Sequence, residues 1–114
     1  MVGHEIDITT FEELKQMSGA DFVDELVETF LEDAPKLISE LRAALQAGDA
    51  DSFRRAAHSL KSNAATFGAT HLSQQAKDLE LIGKERRLSE TGGRLEALER
   101  TFAAVTSELK RLRA

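Results

Sequence analysis

The sequence predicts an all-α protein, an antiparallel four-helix bundle with a short additional helix at the N-terminus. Leu, Ala, Glu and Arg dominate it, all good helix formers, and only one Pro appears in 114 residues. Apolar residues recur at steps of three and four in several separate stretches, and no stretch shows the period-two alternation of a half-buried strand. Gly and Asp punctuate the boundaries, so the connections are short, and short connections set successive helices antiparallel.

The short first helix follows a loose lead-in over residues 1–8. Thr9 and Thr10 each precede a Glu by three residues (Glu12 and Glu13), a capping-box pattern ahead of Phe11, Leu14 and Met17. It should stop near Gly19, with Ser18 and Asp21 able to cap the second helix. Phe22/Val23, Leu26, Phe30, Leu37, Leu41 and Leu45 then mark a helix reaching about residue 46. Pro35 lies inside this run, predicting one kinked helix or a break near residue 34. Gly48 stops it, and Asp49 or Asp51 caps the third helix, whose stripe is Phe53, Ala57, Leu60, Ala64 and Phe67. Gly68 closes or bends that helix. Leu72, Ala76, Leu79 and Ile82 define a fourth, ending near Gly83. A charged segment, Lys84–Arg87, and a Gly92-Gly93 loop precede the last helix, with Leu95, Leu98, Phe102, Val105, Leu109 and Leu112. One domain over residues 9–113 accounts for all of this. Burial of these stripes drives folding, so a polar residue at Leu60 or Phe102 should be far more damaging than one at Arg54.

Composition narrows the function. A net charge of -5 argues against a nucleic-acid partner, which needs a basic footprint. The absence of cysteine removes disulfides, thiol chemistry and thiolate metal sites. The N-terminus lacks the basic and apolar regions of a signal peptide, and no apolar run is long enough to span a membrane. These features predict a soluble, cytoplasmic chain with no membrane partner. His4 and His71 have no setting comparable to that of His58, and the histidines do not suggest a metal site. The acidic residues lack EF-hand spacing.

One polar residue on the third helix calls for a reason. At about 100° per residue, His58 points roughly 135° from the buried stripe, toward solvent. Ser62 and Ala65, both small, lie one and two turns on, while Arg54 and Lys61 flank the same broad face nearer the core. An open imidazole among low side chains and positive charge suits a partner that must approach one ring nitrogen. Neutral imidazole is nucleophilic near neutral pH, provided its other nitrogen is held in the right tautomer.

The thirteen residues Ala57-His58-Ser59-Leu60-Lys61-Ser62-Asn63-Ala64-Ala65-Thr66-Phe67-Gly68-Ala69 resemble the signature of the histidine-containing phosphotransfer (HPt) domain family. The Ala-His-x-Leu-Lys start and the glycine ten residues after the histidine carry the likeness, which extends over residues 9–112. It implies that His58 is phosphorylated, that Lys61 stabilises the phosphoryl group, and that Gly68 keeps the nearby surface open. It implies that Glu80, twenty-two residues on, contacts the imidazole from the next helix. Ser62 departs from the common Gly, but it is still small. Phe67, Leu72 or the first helix could supply an apolar docking rim, and Arg54 and Arg55 could meet an acidic one.

The implied function is that of a phosphorelay intermediate. It accepts a phosphoryl group from a phospho-Asp receiver domain and passes it to another receiver. Its partners would be response-regulator receivers and a histidine kinase or hybrid kinase. The chain would act as a monomer that binds no cofactor, with Mg²⁺ on the receiver. No Gly-rich nucleotide loop is present, so this is a phosphoryl carrier without its own kinase domain. The alternatives are a chemotaxis-kinase-type domain phosphorylated by a separate ATP-binding domain, and a helical adaptor that is never phosphorylated.

Overall fold

Asp7, not Thr9 or Thr10, starts the first helix. In the computed structural model, which describes residues 5–112, helix α1 spans Ile8–Ser18. Asp7 holds extended backbone at its N-cap and accepts the backbone N–H of Thr9 at 3.0 Å and of Thr10 at 3.4 Å. The two threonines therefore lie in the first turn, where their own N–H groups need the cap. Residues 1–4 and the predicted domain end at 113 lie outside the described residues. From Glu5 onward the expected loose lead-in is packed. Ile6 is buried, the Asp7 N–H donates to the Gly68 carbonyl at 2.8 Å, and the Glu5 N–H donates to the buried Glu108 carboxylate.

Helix α2, Ala20–Ala47, begins at Gly19, which offers no side-chain cap, so Ser18 does not cap it. It runs unbroken through Pro35. A mid-helix proline costs about 3 kcal/mol, and here a long buried stripe of Val23, Val27, Phe30, Ala34, Ile38, Leu41 and Ala44 offsets it. The expected core residues Leu26, Leu37 and Leu45 flank that stripe half-buried, and Phe22 is exposed. Gly48, at φ +69°, closes the helix. Asp49 then caps α3, Ala50–Thr66, by accepting the Ser52 N–H at 3.1 Å.

Helix α4 covers Thr70–Lys84, one residue past Gly83, which is buried inside it. A 3-10 turn at Leu88–Glu90, not foreseen from the sequence, leads into α5, Arg94–Leu112. Helices α2 to α5 pack in a closed ring, α2 on α3, α3 on α4, α4 on α5 and α5 back on α2, with α1 against α2. Phe30 ties three of these elements together, with ring centroids 5.3 Å from Phe67 and 5.9 Å from Phe102. The fold is thus all-helical among the described residues. No helix there is long and apolar enough to cross a membrane.

Gly68 has a structural duty at the start of α1. It is buried at φ +75°, and a Cβ there would sit 2.9 Å from the Asp7 carbonyl and 3.0 Å from Thr10 Cβ. It therefore seats the start of α1. Gly68→Ala combines left-handed backbone strain with a backbone clash and should destabilise by about 2 kcal/mol. A lowered urea midpoint at unchanged m-value is the expected readout.

Candidate functional site

His58 stands on the outer face of α3, its side chain 58% exposed, where the helical wheel places it. The helix is rigid at this point because Ala57 and Leu60, on either side, are fully buried. Glu80 reaches across from α4. Its Oε2 lies 2.8 Å from His58 Nδ1, and its Oε1 lies 2.7 Å from Lys61 Nζ. Both carboxylate oxygens are therefore engaged, and the two α3 partners sit three residues apart on one face. Among the described residues these are its ion-pair partners, so Glu80 is not merely a surface carboxylate paired along its own helix with Lys84.

The electrostatics define the tautomer. Partial burial pushes the Glu80 pKa up, but the hydrogen bonds and charges of Lys61 and His58 outweigh this and hold it below the usual glutamate value. An ionised carboxylate only accepts, so Nδ1 must carry the proton and donate it. Neutral His58 then has its free lone pair on Nε2, and among the described residues no hydrogen bond engages that atom. The result is an exposed imidazole whose Nε2 carries the free lone pair.

The depressed Glu80 pKa has a stability consequence. The folded chain binds fewer protons at this site than the unfolded chain does. The contribution is fully present above the ordinary glutamate pKa of about 4.3 and is lost as pH falls through the lower folded value. Glu80→Gln should flatten that acid limb of the stability profile. Urea unfolding of both proteins between about pH 3 and pH 6 measures the difference.

Ser62 and Ala65 are exposed and small beside His58. Arg54 is half-buried and Arg55 exposed one turn earlier, with Arg55 Nη2 donating to Ser52 Oγ at 3.3 Å. Lys61 Nζ rests on Glu80. Gly68 belongs to the α1 seat described above. Phe67 and Leu72, considered for an apolar rim, are core residues, whereas Ile8, Met17, Phe22 and Leu81 are the exposed large hydrophobics among the described residues. His4 lies outside the described residues. His71 has more of a setting than its sequence context suggested. It is 59% exposed, with Nδ1 3.2 Å from Glu5 Oε1, but among the described residues no lysine braces that carboxylate. Two residues packed between α3 and α4 were not read from the sequence as part of the site: Ser73, and Gly83, which was read only as a helix end. Gly83 left a signal, since a glycine after Ile82 in a helical pattern marks either an end or a close backbone approach.

The chain matches the family model for the Hpt domain over residues 25–114. It is also similar to a solved structure, that of histidine-containing phosphotransfer protein B from Pseudomonas aeruginosa PAO1. The TM-score is 0.90 at 33% sequence identity, and the match covers 96% of this chain and 95% of that one. No curated protein sequence matches.

Proposed function

The chain belongs to the Hpt domain family and serves histidine phosphotransfer in a phosphorelay; on that premise we propose that His58 Nε2 is the phosphoacceptor, loaded from a phospho-Asp receiver domain and discharged to a second receiver. The observation that carries this is the Glu80 carboxylate on Nδ1, which leaves Nε2 unprotonated and exposed. The Nε2 lone pair attacks the phosphorus of the aspartyl phosphate. The P–N bond forms as the P–O bond to aspartate breaks, and the carboxylate leaves with the electron pair. The ring keeps its Nδ1 proton and becomes positive, facing Glu80, so charge develops where a counter-charge already stands.

Lys61 neutralises phosphoryl oxygen charge by turning from Glu80 Oε1 toward the new group. Ser62 and Ala65 leave room for the approach, and Arg54 and Arg55 attract an acidic receiver rim. The receiver brings the Mg²⁺. The described residues of this chain include no group of three His, Asp or Glu side chains placed to hold a metal. The chain works as a monomer, because its apolar stripes are satisfied within one bundle.

The test is transfer from a receiver domain charged by a small-molecule phosphodonor. Acid-labile, alkali-stable label should appear on the chain and leave it when a second, uncharged receiver is added. A folded chain that takes no label from several receivers or from an ATP-dependent histidine kinase would overturn the proposal.

A further inference from the structure

Glu80 reaches His58 because α4 lies at one particular height and distance against α3, and a close contact on each side of it sets that register. Ser73 Oγ donates to the Lys61 backbone carbonyl at 3.0 Å. Seven residues, two helical turns, separate Ser73 from Glu80, so the two project from one face of α4. On the other side, Gly83 meets the backbone of α3. A Cβ there would lie 3.0 Å from Arg54 N and 3.1 Å from both Ala50 O and Arg54 Cα. The order Arg54, His58, Lys61 on α3 thus runs against Gly83, Glu80, Ser73 on α4.

The Gly83 backbone is ordinary helix, so glycine is not needed there for its conformation. What it supplies is proximity. None of the three opposing atoms is the movable end of a side chain, so a methyl group at position 83 must shift a helix by a few tenths of an ångström. The Nδ1–carboxylate bond is 2.8 Å long, and a displacement of that size carries it toward the weak limit of about 3.2 Å.

We propose that Gly83 and Ser73 are positioning residues for phosphoryl acceptance, holding α4 close enough for Glu80 to keep the proton on His58 Nδ1 and leave Nε2 as the nucleophile. Neither touches the phosphoryl group. The proposal rests on the reading of His58 as the acceptor. It is tested first by an observable that needs no partner.

That observable is the His58 tautomer, read from ring 15N–1H correlations at alkaline pH in the ¹⁵N-labelled chain. Gly83→Ala, Gly83→Val and Ser73→Ala are compared with the unaltered protein, and Glu80→Ala marks complete loss of the acceptor. The unaltered chain should hold the Nδ1–H form. The variants should drift toward the Nε2–H form that free imidazole side chains favour, Gly83→Val furthest, with phosphoryl acceptance in that variant down about tenfold. A merely structural role would leave the tautomer unchanged in a folded chain. Unchanged tautomers in folded Gly83→Ala and Ser73→Ala overturn the proposal, and these two decide the matter if Gly83→Val does not fold. Failure of phosphotransfer in the unaltered protein would sink the acceptor reading instead, with the tautomer series still interpretable.

Discussion

His58→Gln is expected to abolish phosphoryl label completely while leaving the fold intact. The imidazole is more than half exposed, and among the described residues its one hydrogen bond is to Glu80. The glutamine amide can still donate to that carboxylate, so stability should change by less than about 1 kcal/mol. The amide nitrogen, however, has no available lone pair, and no proton shift can create one. The loss is therefore total. Glu80→Ala, by contrast, leaves a nucleophile that spends part of its time in the wrong tautomer and should give graded slowing. Electrophoresis of the labelled chain before and after mild acid reads both variants. Label persisting on His58→Gln and mapped to His71 would move the acceptor to the second exposed imidazole that faces a carboxylate.

Leu60→Ala should produce the largest loss of stability of any conservative truncation near the site. Leu60 is completely buried two residues after His58, on the inner side of the same turn of α3. Truncation removes its transfer free energy and leaves a cavity that backbone helices cannot collapse to fill, at a cost of about 3 kcal/mol. For a domain of this size that lowers the melting midpoint by at least about 10 °C, measurable by circular dichroism. The same truncation at Phe102 should cost less than its size suggests. The sequence pattern ranks it with Leu60, yet it lies half-buried against the core. A melting midpoint for Phe102→Ala at or below that of Leu60→Ala would contradict this ordering.

The helix spans were legible because amphipathic periodicity is a local property. A helix must bury one stripe whatever its neighbours are, so the steps of three and four along α3 reveal both the core face and the opposite face where His58 stands. Glu80 was reached through the family resemblance and not through periodicity. Helix starts were less legible. Asp7, Thr9 and Thr10 all have capping side chains, and the choice fell to Asp7 once burial of Ile6 and the bond to Gly68 had fixed the approach of the chain. Pro35 predicted one kinked helix, or else a break, and the helix is continuous because the buried stripe on both sides of it outweighs the missing hydrogen bond.

By itself, then, the sequence determined an all-helical bundle and an exposed histidine among small neighbours, and the family resemblance pointed to Glu80 on the following helix. The tertiary structure decided what each of those groups touches. It turned Lys61 onto Glu80, buried Phe67 and Leu72, assigned Gly68 to the seat of α1, and made Gly83 the close approach of α3 and α4. The reason is one of range. Periodicity and capping follow from interactions within four residues, whereas a 2.8 Å bond between side chains twenty-two residues apart depends on helix separation and register. Those are set by which side chains, or missing side chains, lie between the two backbones.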